Sequence, residues 1–110
     1  MKQIEVNDII VSSGGWECTD ATFFKVIKIV NGFLTIRQLE SKVVSFEPFP
    51  GTTGSGTKVP TDNFVNEKLI RRKIIYSEYN NEPYIVIQKS YYLSAHKWDG
   101  TPQQFDFTNI

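Results

Sequence analysis

Asn31-Gly32 stands between two runs of β-forming residues, Ala21 to Val30 and Phe33 to Glu40, and leaves only those two residues to reverse the chain. A type I′ turn needs positive φ at both central positions, which Asn and Gly tolerate, and its twist matches that of the strands it joins. The spacing therefore predicts a hairpin. Counting outward from Val30 opposite Phe33, an unbroken ladder pairs Ile29 with Leu34, Ile27 with Ile36 and Lys25 with Gln38 on one face. Lys28 with Thr35, Val26 with Arg37 and Phe24 with Leu39 fall on the other. The first face is the drier near the turn, so Ile27, Ile29, Leu34 and Ile36 are expected in the core.

Further strands are expected at Ile4 to Val11, with a bend at Asn7-Asp8, at Lys42 to Phe46, and at Phe105 to Phe107. Residues Lys68 to Tyr76 and Tyr84 to Lys89 read as a second hairpin around Asn80-Asn81-Glu82-Pro83. Ser90 to Lys97 fits a short helix or a bent strand equally well. Glu47 to Pro60 carries three prolines and three glycines and reads as a mobile surface loop, and Trp98 to Pro102 as a turn. With 110 residues, 14% aromatics and no long 3.6-residue period, residues 1–110 are expected to form one mainly β domain. Its expected form is a strongly bent antiparallel sheet or SH3-like barrel of five to seven strands.

The chain carries twelve basic and twelve acidic side chains, so any contact with nucleic acid has to rest on a local patch. Cys18 is the only cysteine, which leaves no internal disulfide and no thiolate cluster for zinc. No signal peptide or membrane span is apparent, and a cytoplasmic protein is expected. The Gly51 to Lys58 stretch superficially resembles a phosphate loop, but Lys58 comes one residue late and Val59-Pro60 blocks the helix such a loop needs. The one imidazole, His96, lies in no nucleophile motif, and the acids are scattered, so no metal, cofactor or catalytic residue is assigned.

Two sets of residues stand out as candidates for binding. Trp16 and Glu17 in a glycine loop, Trp98 in its turn, and the Phe24, Val26 and Arg37 face could engage another protein. Arg71, Lys73 and Tyr76 could instead track single-stranded nucleic acid, with Arg71 and Lys73 on one strand face and Arg72 on the other. Clustering of Lys25, Lys28, Arg37, Arg71 and Arg72 on one face would favour this second use, and interleaved acids would count against it. An enzyme of barrel ribonuclease type would need His96, Arg71 and Glu78 to converge on one pocket. An open sheet edge would also allow a homodimer.

The order of features, an Asp8-Ile9-Ile10-Val11 strand, the Gly15-Trp16 loop, the Phe23-Phe24-Lys25-Val26 strand and a closing Trp98-Asp99-Gly100-Thr101-Pro102 turn, resembles a group of small proteins of tailed phages and prophages. In that group a Trp-Gly-Tyr-type loop precedes an Asp-Phe-Tyr-x-Val strand. Here the loop reads Gly15-Trp16-Glu17 and the strand begins Thr22-Phe23-Phe24. The resemblance implies a phage or mobile-element origin and a host-cell location, and it brings no enzymatic activity with it. Together with the aromatic loops, it makes a non-enzymatic binding module for a host or phage protein the first expectation, as adaptor, inhibitor or anti-defence factor.

Overall fold

A computed structural model of the chain describes residues 3–14, 20–48, 53–88 and 93–108. These residues form β1 (Ile9–Gly14), β2 (Asp20–Val30), β3 (Phe33–Pro48), β4 (Thr53–Phe64), β5 (Ile70–Lys73), β6 (Ile75–Tyr76), β7 (Pro83–Gln88), β8 (Leu93–Lys97) and β9 (Gln103–Thr108). The fold is mainly β, with no helix among the described residues. Eight strands run in the antiparallel order β6-β7-β8-β1-β2-β3-β4-β9, and β5 pairs separately with β3. The sheet is not closed.

The strand count exceeds the expected five to seven for two reasons. First, β3 is a single long strand whose second edge is shared: Phe33 to Ile36 pair with β5, and Leu39 to Pro48 pair with β4. Second, the anticipated hairpin after Lys68 is divided at Ile74, whose N–H donates to the Gly32 carbonyl at 2.9 Å. What precedes Ile74 joins β3, and only Ile75 and Tyr76 pair with β7. The segment expected to loop at 47–60 is largely strand. Residues 53–58 of β4 are sandwiched between β3 and β9, and Pro60 sits where the β3–β4 register slips, a position that tolerates a missing donor. Residues 49–52 lie outside the described residues. Of the ambiguous stretch before Trp98, residues 93–97 form β8, and residues 90–92 lie outside the described residues.

The Asn31-Gly32 turn forms as expected, with φ of 51° and 80°. Near it the register is also as expected: Val30 faces Phe33, Ile29 faces Leu34 and Lys28 faces Thr35. One step further the ladder slips. Val26 faces Ile36 and Lys25 faces Arg37, which leaves Ile27 as the extra residue of a β-bulge. At that point β2 also gains a partner on its other side, since Val26 donates to the Asp8 carbonyl and accepts from the Asn7 N–H, both at 2.9 Å. Asn7 makes the predicted bend with a φ of 74°.

The bulge decides which side chains are buried. Ile27, expected in the core, is 36% exposed, whereas Phe24 (3%) and Val26 (0%), expected on the outer face, point inward. They join Ile4, Ile10, Leu34, Ile36, Ile85 and Ala95 in the main core, with Ile29, Ile70, Ile74 and Ile87 packed around it. This core fills the hollow of the sheet as it curls from β5 through β3, β2, β1 and β8 to β7. The curl brings β5 beside β7, where an Arg72 guanidinium nitrogen reaches the Ile87 carbonyl at 3.3 Å. A smaller cluster of Val11, Ala21, Phe23 and Leu39 lies on the opposite face, bordered by Ile9, Phe64 and Trp98.

The bulged register has a direct consequence for stability. Ile36→Ala should cost about 2–5 kcal/mol in urea unfolding, because it opens a cavity in the main core. Ile27→Ala should stay within about 0.5 kcal/mol of the wild type, as for other exposed positions. Comparable losses at the two sites would mean that the bulge is absent.

Candidate functional site

Directly opposed residues in a ladder share a face, so the register shows what the sheet presents outward between β2, β3 and β5. Three rows cross it: Lys25 with Arg37; Lys28 with Thr35 and Arg71; Val30 with Phe33 and Lys73. Five of the twelve basic residues therefore meet on one face of a chain with no net charge. The bulge contributes Lys25, which an unbroken ladder would have turned to the other side. Arg72 faces the opposite way, across from Leu34, as the alternation of β5 predicted.

Two aromatic rings are interleaved with these charges. The Arg71 guanidinium lies 4.3 Å from the centre of the Phe33 ring, and that of Arg37 lies 4.0 Å from the centre of the Phe64 ring. Arg37 is also held by its Nε donating to the Asn66 carbonyl. Each cation–π contact is worth about 0.5–1 kcal/mol at an exposed site and sets the guanidinium flat on its ring. Thr35, at the centre of the patch, is only 6% exposed. Its neighbours on this face are Lys28 and Arg71 across the ladder and Phe33 and Arg37 along the strand, and long basic side chains cover such positions with their alkyl stems.

No acid occurs in residues 25–30, 33–38 or 70–73. Among the described residues, no carboxylate forms an ion pair with Lys25, Lys28, Arg37, Arg71 or Lys73. Glu67 follows the Asn66 that holds Arg37 and is not engaged with any of the five. Like charges placed directly opposite across a ladder are destabilising. The charges of the Lys25 and Arg37 pairing therefore oppose folding.

The other sequence candidates are distributed differently. Tyr76 is in β6, opposite Pro83, outside the ladder that holds Arg71 and Lys73. Phe24 and Val26 are core residues and cannot present a surface. Trp98 is half-buried: its ring meets that of Phe23 edge-on at 5.8 Å, and its Nε1–H donates to the Thr101 carbonyl at 2.7 Å. It closes the outer cluster. Trp16, Glu17 and Cys18 lie outside the described residues. His96 is exposed beside a recess lined by Glu82, Pro83, Lys97, Asp99 and Gln103, and neither Arg71 nor Glu78 lines it. Among the described residues, no group of three or more metal-binding side chains comes together and no helix is long and apolar enough to cross a membrane.

Compared with known proteins, the chain matches no family model, no curated sequence and no solved structure.

If the opposed cations are kept for binding and not for folding, Lys25→Gln should stabilise the protein by a few tenths of a kcal/mol at low salt. The gain should vanish in about 1 M salt, where the Debye length falls to about 3 Å. Thermal melts at the two salt concentrations check this, and a variant destabilised at both would show Lys25 to be structural.

Proposed function

We propose that the outer face of β2, β3 and β5 binds single-stranded nucleic acid. One observation carries the reading: Lys25, Lys28, Arg37, Arg71 and Lys73 share a face with Phe33 and Phe64, and no acid interrupts the rows. Single strands are held by basic surfaces that follow the phosphates and by flat groups on which bases stack, and an Arg lying on a Phe ring offers such a flat, cationic surface. The curled unit from β5 to β7 serves as an SH3-like platform that holds the five charges in a fixed array. In a phage or prophage setting, the ligand would be a transcript or a displaced DNA strand in the host cytoplasm.

Binding of a labelled oligothymidylate, followed by fluorescence anisotropy over a range of salt, tests this. Each phosphate neutralised on a single strand contributes about 0.7 to the slope of log K against log salt, so five contacts give a slope near about −3.5. Lys28→Ala and Lys73→Ala, both at exposed positions, should each weaken binding whatever the base composition and lower the slope by about 0.7. Absence of binding, or binding indifferent to salt and to both substitutions, would refute the proposal.

A second reading, docking onto another protein, has one observation in its favour. Val43 (54%) and Val44 (49%) are exposed side by side on the β3–β4 arm, where the register shifts a second time. If this arm is a contact for a host or phage protein, a Val43→Ser, Val44→Ser double variant should lose a partner that the wild type captures from nuclease-treated lysate. Capture unchanged by the double substitution would exclude the arm as the contact.

A further inference from the structure

Resting on the nucleic-acid reading, we infer that the recess beside Trp98 receives one base of the bound strand and that it selects guanine. The row formed by Ile9, Lys25 and Arg37 continues onto the end of β8, because the Trp98 N–H donates to the Ile9 carbonyl at 2.9 Å. The two chain neighbours of Trp98, Lys97 and Asp99, help line an open recess of about 150 Å³, with Glu82, Pro83, His96 and Gln103 completing it. That volume admits a single planar heterocycle. Neighbouring strands lie about 4.8 Å apart, so the start of β7 and the end of β8 are only two to three strand spacings from Lys25. A strand whose phosphates follow the basic face can place a base there within a few nucleotides.

The identity of the base follows from which hydrogen-bonding groups of the recess are already used. The Lys97 ammonium is held by Asp8 Oδ2 at 3.3 Å and by the Gln3 carbonyl at 3.2 Å. Gln103 donates one of its two Nε2 hydrogens to the Thr101 carbonyl at 3.1 Å, which leaves the second N–H as a donor and Oε1 as an acceptor. Asp99 Oδ1 accepts from the Thr101 N–H and hydroxyl at 2.9 and 2.6 Å. Glu82 uses its backbone N–H, donated to Asn80 Oδ1 at 3.0 Å, and among the described residues no donor reaches its carboxylate. The Glu82 carboxylate is thus the unengaged anionic acceptor of the recess, beside single N–H donors left on Lys97, Gln103 and His96.

A carboxylate accepts two parallel hydrogen bonds and is best met by two adjacent donors. On a Watson–Crick edge only guanine offers them, from N1–H and the N2 amino group. Cytosine and adenine set a ring acceptor beside their amino group, and thymine and uracil flank one N–H with carbonyls, so each would turn a lone pair toward Glu82. Recognition of splayed-out bases by such edge contacts is the usual way single strands are read.

Anisotropy titrations with an oligothymidylate and with the same strand carrying one central guanine test the inference, using the wild type and Glu82→Gln. The wild type should bind the guanine-containing strand roughly tenfold more tightly, within the range of one bidentate base contact. Glu82→Gln should lose that preference and keep its affinity for oligothymidylate. Equal affinity of the wild type for both strands, or a preference that survives in Glu82→Gln, would overturn the guanine assignment while leaving the basic face as a binding surface. Failure to bind either strand would overturn the nucleic-acid reading as well.

Discussion

Between Val26 and Lys28, β2 carries one residue more than β3 can match, and most of the structure follows from how that excess is absorbed. Without the bulge, Val26 would oppose Arg37 on the outer face and Ile27 would oppose Ile36 inside. With it, Val26 opposes Ile36 in the core, and Phe24 comes inward to meet Ile10 from β1. Bulges also increase local twist. Here the extra residue comes where β2 acquires Asn7 and Asp8 as backbone partners on its other edge, and where the sheet turns to wrap its main core. The same slip delivers Lys25 to the outer face beside Arg37.

The outer face is thereby divided into two regions of different chemistry. Toward β1 and β8 it is apolar, with Val11, Phe23 and Leu39 covered by Trp98 and bordered by Phe64. Toward β5 it is cationic, and Phe33 and Phe64 are overlain by guanidinium groups. Folding alone favours the first region, since burying an aliphatic or aromatic side chain is worth about 1.5–3 kcal/mol. It disfavours the second, where unneutralised like charges face each other across a ladder. Proteins accept such local costs where a surface has a use, and the neutrality of the chain as a whole limits its overall self-repulsion.

Much of the fold was legible in local chemistry. Asn31-Gly32 announced its turn, Asn7 its bend, Asp99-Gly100 the bend between β8 and β9, and the alternation of β5 put Arg71 and Lys73 together. What could not be read was anything set by pairing over a distance. Alternation breaks at Val26-Ile27, where two apolar residues adjoin, but the sequence does not say how the ladder absorbs that break, and a slip of one residue exchanges the faces. That exchange is why Phe24 and Val26 seemed outward and Lys25 seemed inward. The strand character of residues 53–60 was likewise hidden, because strands on both sides override the loop preferences of Gly54 and Gly56, and β3 alone pairs with Pro60. The basic rows were partly foreseeable as a list of residues, but the joining of β5 to β3, which assembles them, depends on Ile74 bonding to Gly32 forty-two positions earlier.

The central claim is that a single strand lies on the β2, β3 and β5 face. Its most direct test is a titration of isotope-labelled protein with a short oligothymidylate, following backbone amide and Arg side-chain resonances. Shifts concentrated at Lys25, Lys28, Phe33, Thr35, Arg37, Arg71 and Lys73 are predicted, with the Arg71 and Arg37 guanidinium signals moving most as bases stack on them. Shifts confined to the β3–β4 arm, or none at saturating ligand, would contradict the account.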